Sequence, residues 1–333
     1  MCPSSSVPLL PESVRQHPAH LAPFPPRYAQ VSEAIADKMR ALGAEVVRIN
    51  DTYEVACAQC SADCDKHGWK LIQDGSSPGY EAVPKRIHSG YSLLAREMLE
   101  QLGALNKKGK VSPDRCPTHV LANAGVGGLA AGIGGYLWDT LKKDRPRFVC
   151  VEPTNADCCA IKSQRVAYDA LVAAGGAKKK KPPREGFGAE GTIQVGLDCK
   201  EVSPLAWGVL ETGANDFVAI GDEMIGPCMK LLSHAEKPII SGESAVAGIG
   251  VLLAAAKNPK LKVRVAFPTH NGAPWGAAPQ QLMHPLTPPQ AALGLNERSR
   301  VAIVICEAPP NPALFKKLTG ETVESARARQ AKA

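Results

Sequence analysis

No stretch of this 333-residue chain approaches the ~18 consecutive apolar residues that a membrane span requires. Its first twenty residues, MCPSSSVPLLPESVRQHPAH, are rich in Pro and Ser and carry no apolar core of the secretory kind. A soluble, cytoplasmic protein without a membrane partner is expected. Aromatic residues are scarce, at 5%, and are not interleaved with basic ones, although the net charge is +7. Four of the positive charges fall in one run, Lys178 to Lys181. A nucleic-acid-binding face is therefore excluded. No internal repeat is visible. Cysteine is plentiful, at 11, but the odd number in a long chain does not read as a disulfide framework and fits a reducing compartment. What is present is enough apolar material for a real core, 44% of residues.

The order of the segments sets the fold class. Residues 1–26 have no apolar period and are expected to be disordered. From Tyr28 the residues Val31, Ile35, Met39 and Leu42 recur at helical spacing, and Gly43 supplies a stop. A strand over 44–49, a helix from Tyr53 to His67 ended by Gly68, and a strand over 69–74 follow. This alternation predicts a parallel sheet. Beyond it come a helix over 87–102, a strand over 118–124 with a helix running to Leu141, and a strand over 147–153. A helix over 204–213, a strand-turn-helix over 216–232, a glycine-rich helix entry over 241–256 and a last buried strand over 299–307 complete the pattern. Residues 173–187 and 264–292 read as exposed inserts. The expected organisation is a small αβαβ part over 27–88, a larger part over 89–325 and a tail over 326–333.

The run LANAGVGGLAAGIGG, residues 121–135, sets Gly125, Gly127 and Gly128 at a strand-to-helix turn. Bare N–H groups and the dipole at a helix N-terminus suit a phosphate. The alternative is a tight turn whose glycines serve packing alone. Gly125, Gly127 and Ala130 also fit the G-x-G-x-x-A pattern of a dinucleotide fold, with Glu152 ending the next strand. Cys57, Cys60 and Cys64 contain a C-x2-C spacing that suggests a metal. At i, i+3 and i+7, however, they line one face of a helix, and a buried stripe without metal is the expectation.

Other blocks decide between the readings of the glycine turn. LIQDGSSPGYEAVPKRIHSGYSLLAREM, THVLANAGVGGLAAGIGGYL, VEPTNADC, TIQVGLDCKEVSPLAW and IISGESAVAGIGVL occur in this order between about Pro26 and Leu318. In this the chain resembles the tryptophan synthase β-like family, pyridoxal-phosphate enzymes of fold type II. Within it the blocks are most similar to the ammonia-lyases that act on 2,3-diaminopropionate. The resemblance implies an α/β fold with two open, mostly parallel twisted sheets flanked by helices, here incomplete at the N-terminus. It implies pyridoxal 5'-phosphate as cofactor, a small amino-acid substrate, β-elimination to pyruvate and ammonia, and a homodimer. Gly125, Val126, Gly127 and Gly128 fall on the family's phosphate loop. Cys306 falls where the family places a neutral residue beside the pyridine nitrogen, Asp74 on an aspartate used for proton transfer, and Glu243 in a block typical of the family. Read without the resemblance, Cys306 is equally a small buried hydrophobe, Asp74 a turn or helix-cap residue, and Glu243 a helix cap.

The family's Schiff-base lysine belongs to an upstream block with no counterpart here, so the chain as written is expected to be inactive. Lys85, Lys162 and Lys178 to Lys181 do not stand in the family's lysine context. The family's Thr-Glu-Gly-x-Thr-Asp run is here Glu307-Ala308-Pro309-Pro310-Asn311-Pro312. A serine/threonine dehydratase-like lyase and a non-catalytic remnant are the alternatives.

Overall fold

The computed structural model describes residues 19–21, 33–49, 51–173, 182–184, 187, 191–255, 263–266 and 293–332. Most of the three segments expected to be disordered or exposed, 1–26, 173–187 and 264–292, lies outside them. The chain divides into two compact units, Met1–Leu71 and Ile72–Ala333.

In the first unit, β1 (Ala19–Leu21) pairs in parallel with β2 (Val46–Arg48), so part of the segment expected to be disordered is a strand. The helices are α1 (Glu33–Ala41) and α2 (Tyr53–His67). The Thr52 hydroxyl accepts the Val55 N–H at 3.4 Å at the start of α2, and Gly68 ends it at φ +67°. These are the two caps that a helix needs for its orphan donors and its reversal.

The second unit holds a five-stranded sheet of β3 (His119–Asn123), β4 (Arg147–Pro153), β5 (Asp216–Ile220), β6 (Val263–Ala266) and β7 (Val301–Ile303). Their order is β6-β5-β4-β3-β7, parallel throughout except for β6, which runs antiparallel to β5. Side-chain alternation divides the strands between two cores. Val120, Ala122, Phe148, Cys150 and Phe217 face one way, where α3 (Ala82–Gln101), α4 (Gly128–Leu141), α5 (Cys158–Ala173) and α6 (Pro204–Gly213) cover them. Leu121, Val149, Val151, Val218 and Ile220 face the other, under α7 (Ile225–Ser233), α8 (Ala247–Ala255), α9 (Pro312–Thr319) and α10 (Val323–Gln330). Burial on both faces explains why these strands read as unbroken apolar runs. Each fully buried Leu or Phe, such as Leu121 or Phe217, contributes about 1.5–3 kcal/mol.

Four expectations are corrected. Residues 69–74 form no strand. The Gln73 N–H instead donates to the Tyr80 hydroxyl at 3.0 Å, so a side chain takes the place of a ladder partner. The division falls at 71–72 rather than at 88, because α3 starts at Ala82 and packs along α4. Strand β6 occupies the start of the expected 264–292 insert. Finally, β7 is shorter than 299–307 and half-buried, since among the described residues it has a neighbour on one side, β3.

Candidate functional site

Strands β3, β4 and β5 are laid down in one direction, while β7 returns to the opposite side of β3. Such a switch opens a crevice at the carboxyl ends of the two strands, where open α/β sheets bind ligands. The glycine loop leaves the end of β3, and Cys306 and Glu307 follow β7.

Gly127 is the N-cap of α4, at φ +93°. A Cβ there would lie 3.0 Å from Leu210 Cδ1 and 3.2 Å from Ala206 Cβ. At Gly125 it would lie 3.1 Å from both Cys199 Sγ and the Gly196 carbonyl, and at Gly128 it would lie 2.6 Å from His88 Nε2. The loop is thus closely ringed by protein, and packing alone already demands glycine. Its polar groups add a second requirement. The Val126 carbonyl accepts the Ser203 N–H at 2.9 Å. Among the described residues, the N–H groups of residues 125–128 donate to no protein acceptor. Four such donors at a helix N-terminus are what an anion uses.

Asp74 is half-buried in the segment entering this region. Its carbonyl lies 3.3 Å from His88 Nε2. Two residues on, the Ser76 and Ser203 hydroxyls are 2.8 Å apart, and the Ser76 hydroxyl accepts the Leu205 N–H at 2.9 Å, capping α6 beside the loop. Tyr91, one turn beyond His88 on α3, has its hydroxyl pushed above the ordinary range by burial first, then by its nearness to Asp74 and Cys306. Tyr91 therefore stands close to two residues that the sequence places 232 positions apart.

On the β7 side, the Asn123 amide donates to the Ala245 carbonyl at 3.2 Å and the Val304 carbonyl at 3.3 Å, with Cys306 Sγ 3.9 Å away. Asn123 Oδ1 is buried and unbonded. Cys306 is exposed by area, yet partial burial, then the Glu307 charge, push its thiol up and keep it neutral. The Glu307 carboxylate accepts the Ser244 N–H at 2.9 Å, and the Ser244 hydroxyl accepts the Gly196 N–H at 2.9 Å. Glu243 is 1% exposed with Oε2 unbonded, and burial, reinforced by Glu307, pushes its carboxyl up to about 7. Its carboxylate bonds to its own N–H.

The structure brings Asp74, the glycine loop, Cys306 and Glu243 into one unit. His88, Tyr91, Asn123, Ser203 and Glu307 join them without having been singled out. His88 and Tyr91 had a signal, an i, i+3 pair inside a block matching the family, and Asn123 is the polar end of an apolar strand. Glu152 has another task than the ribose contact of the dinucleotide pattern. Its carboxylate is fully buried and accepts the N–H groups of Cys159 at 2.7 Å and Ala160 at 2.9 Å, capping α5. Cys64 is buried on α2, with Cys57 and Cys60 half-buried, and burial raises the Cys60 thiol to about 11. Lys85 pairs with Glu81 at 2.7 Å, and Lys162 Nζ lies 5.5 Å from the Trp207 ring centre. Lys178 to Lys181 lie outside the described residues.

Comparison with known proteins gives the family. The family model described as pyridoxal-phosphate dependent enzyme matches residues 26–268. The diaminopropionate ammonia-lyase of Escherichia coli is 34% identical over 227 residues, 67% of this chain and 51% of that protein. The chain spans about half the length of the curated relatives it matches. The crystal structure of the Escherichia coli enzyme in complex with an aminoacrylate-PLP azomethine reaction intermediate is similar at a TM-score of 0.64 and 27% identity, covering 86% of this chain and 62% of that one. Maize serine racemase, 17% identical with a TM-score of 0.56, covers 91% of this chain and 70% of its own and shares the fold. This chain belongs to the family of pyridoxal-phosphate-dependent enzymes.

Proposed function

We propose that this chain supplies the phosphate cradle and the proton-transfer carboxylate of an ammonia-lyase acting on 2,3-diaminopropionate. The overall reaction consumes one water and yields pyruvate and two molecules of ammonia. The observation that carries the reading is the glycine loop at the start of α4, whose four N–H groups donate to no acceptor among the described residues and which His88 joins to the Asp74 segment. The residues present fit the cofactor: among the described residues the N–H groups of 125–128 donate to no protein acceptor at the start of α4, and the Cys306 thiol, pushed up by burial, follows β7.

Bound pyridoxal phosphate would supply an electron sink for the substrate's α-carbon. The loop would hold its phosphate by N–H groups and the helix dipole. Cys306, kept as a thiol, would leave the pyridine nitrogen without a charged partner. Asp74 would hold or move a proton at the substrate. The described lysines of the matched blocks are engaged elsewhere, Lys85 with Glu81 and Lys200 with Asp198. The chain alone is therefore proposed to bind the cofactor without turning substrate over. A cytoplasmic location and a homodimer complete the proposal. In support of the first, the described residues contain no disulfide and no helix long and apolar enough to cross a membrane.

The test titrates the purified chain with pyridoxal phosphate, followed by absorbance, with inorganic phosphate as competitor. Saturable binding, displaced by phosphate and lost in Gly127→Asp, is expected. 2,3-Diaminopropionate should perturb the bound cofactor's spectrum more than serine or threonine does. Binding that survives Gly127→Asp would reduce the loop to a packing turn, and a response to serine or threonine alone would move the reading to a dehydratase.

A further inference from the structure

Helix α3 touches the phosphate loop and the Asp74 segment at once, and one side chain makes both contacts. His88 is 8% exposed. Its Nε2 lies 3.3 Å from the Asp74 carbonyl. A carbonyl only accepts, so Nε2 carries the hydrogen and donates. The same ring fills the space over the first residue of α4, where a Cβ on Gly128 would stand 2.6 Å from Nε2 and 2.9 Å from Cδ2. One turn on, a Cβ on Gly132 would stand 2.4 Å from the His88 carbonyl and 2.9 Å from Tyr91 Cβ. Gly128 and Gly132 thus let α3 lie directly on the first turn of α4, and the loop and His88 have no slack between them. Burial, partly opposed by Asp74, holds the imidazole pKa below its usual value, so the ring is neutral and its single N–H is committed.

We propose that His88 is a positioning residue that links the glycine loop to Asp74, so that an anion seated at the loop sets where the Asp74 backbone lies. The proposal rests on the loop and Asp74 having the roles given above. Closer seating of an anion at residues 125–128 pulls on the start of α4. The ring wedged against Gly128 moves with it, and the hydrogen bond carries that movement to the peptide joining Asp74 to Gly75. The result is an aspartate placed for proton transfer when the phosphate is home.

The test reads backbone amide resonances of the full chain during a titration with inorganic phosphate, with no turnover involved. In the unaltered protein the Gly127, Gly128 and Gly75 amides should shift together, with one common midpoint. In His88→Phe, which keeps a ring but loses the donor, the loop amides should still shift while the Gly75 response is lost. His88→Gln, whose amide can donate at a similar reach, should restore it. A Gly75 amide that stays still in the unaltered protein while the loop amides move would overturn the inference and leave the phosphate site standing. Silence of the loop amides themselves would sink the phosphate site, and the link with it. Should His88→Phe fail to fold, the unaltered protein and His88→Gln decide the matter, since a Gln variant with a moving loop and a still Gly75 also refutes the link.

Discussion

Replacing Gly127 with Ala tests whether the loop's backbone is set by its surroundings. The residue sits at φ +93° and ψ −3°, a left-handed conformation that costs an L-residue about 1–2 kcal/mol. The new methyl would also meet Leu210 Cδ1 at 3.0 Å and Ala206 Cβ at 3.2 Å. Both belong to the core under α6, with 0% exposure, so neither can swing into solvent. Overpacking of this kind costs about 1–3 kcal/mol. The two contributions together come to about 2–5 kcal/mol, or a fall in melting temperature of about 5–15 °C for a domain of this size. Gly208, on the same α6, provides the internal comparison. It has ordinary helical φ and nothing within 4 Å of an added methyl, so Gly208→Ala should stabilise by about 0.5–1 kcal/mol. Thermal unfolding followed by circular dichroism measures both. A Gly127→Ala protein that melts within a degree of the unaltered one would refute the argument, because it would show that the loop can rearrange to accept a Cβ at no cost.

Two further perturbations address the frame around the site. Burial raises the Glu152 carboxyl from 4.5 to about 8, so its neutral form favours folding. That contribution is present in full below pH 4.5, is lost as pH rises through about 8, and is on the order of 5 kcal/mol. Glu152→Gln should flatten the stability curve across this window, and parallel curves for the two proteins would contradict the assignment. The fully buried Asp216 holds Arg147 by two bonds, of 2.6 and 2.8 Å. Asp216→Ala removes both of these bonds at the start of β4 and should cost about 3–5 kcal/mol, read as a lowered denaturant midpoint; a change under about 1 kcal/mol would mean that other groups or water replace the pair.

The elements that sequence reading located well are those whose boundaries are set by their own residues. Helix α2 runs from Tyr53 to His67 because Thr52 and Gly68 cap it, and α6 begins at Pro204, whose fixed φ and missing N–H suit a first turn. Strands β3, β4 and β5 stand out because burial on two faces requires an unbroken apolar run. Trp69–Asp74 carries much the same kind of residues and is not a strand, for Tyr80 takes the hydrogen bond of Gln73. Nothing within those six residues could announce that.

The site divides in the same way. Gly125, Gly127 and Gly128 are legible in the sequence, since a left-handed N-cap and a bare helix start are local demands that leave a local mark. Glu152 fits a dinucleotide pattern equally well on spacing, and only the position of α5 makes it a helix cap. His88, Tyr91, Asn123 and Glu307 acquire their places through contacts with residues far along the chain: His88 with the Asp74 segment and α4, Tyr91 near Cys306, Glu307 with Ser244. Hydrogen bonding and desolvation depend on which groups meet and how much water they lose on meeting. Composition and spacing determine which segments become helices, strands and glycine turns; the convergence of α3, β3 and β7 decides which polar groups share one enclosure.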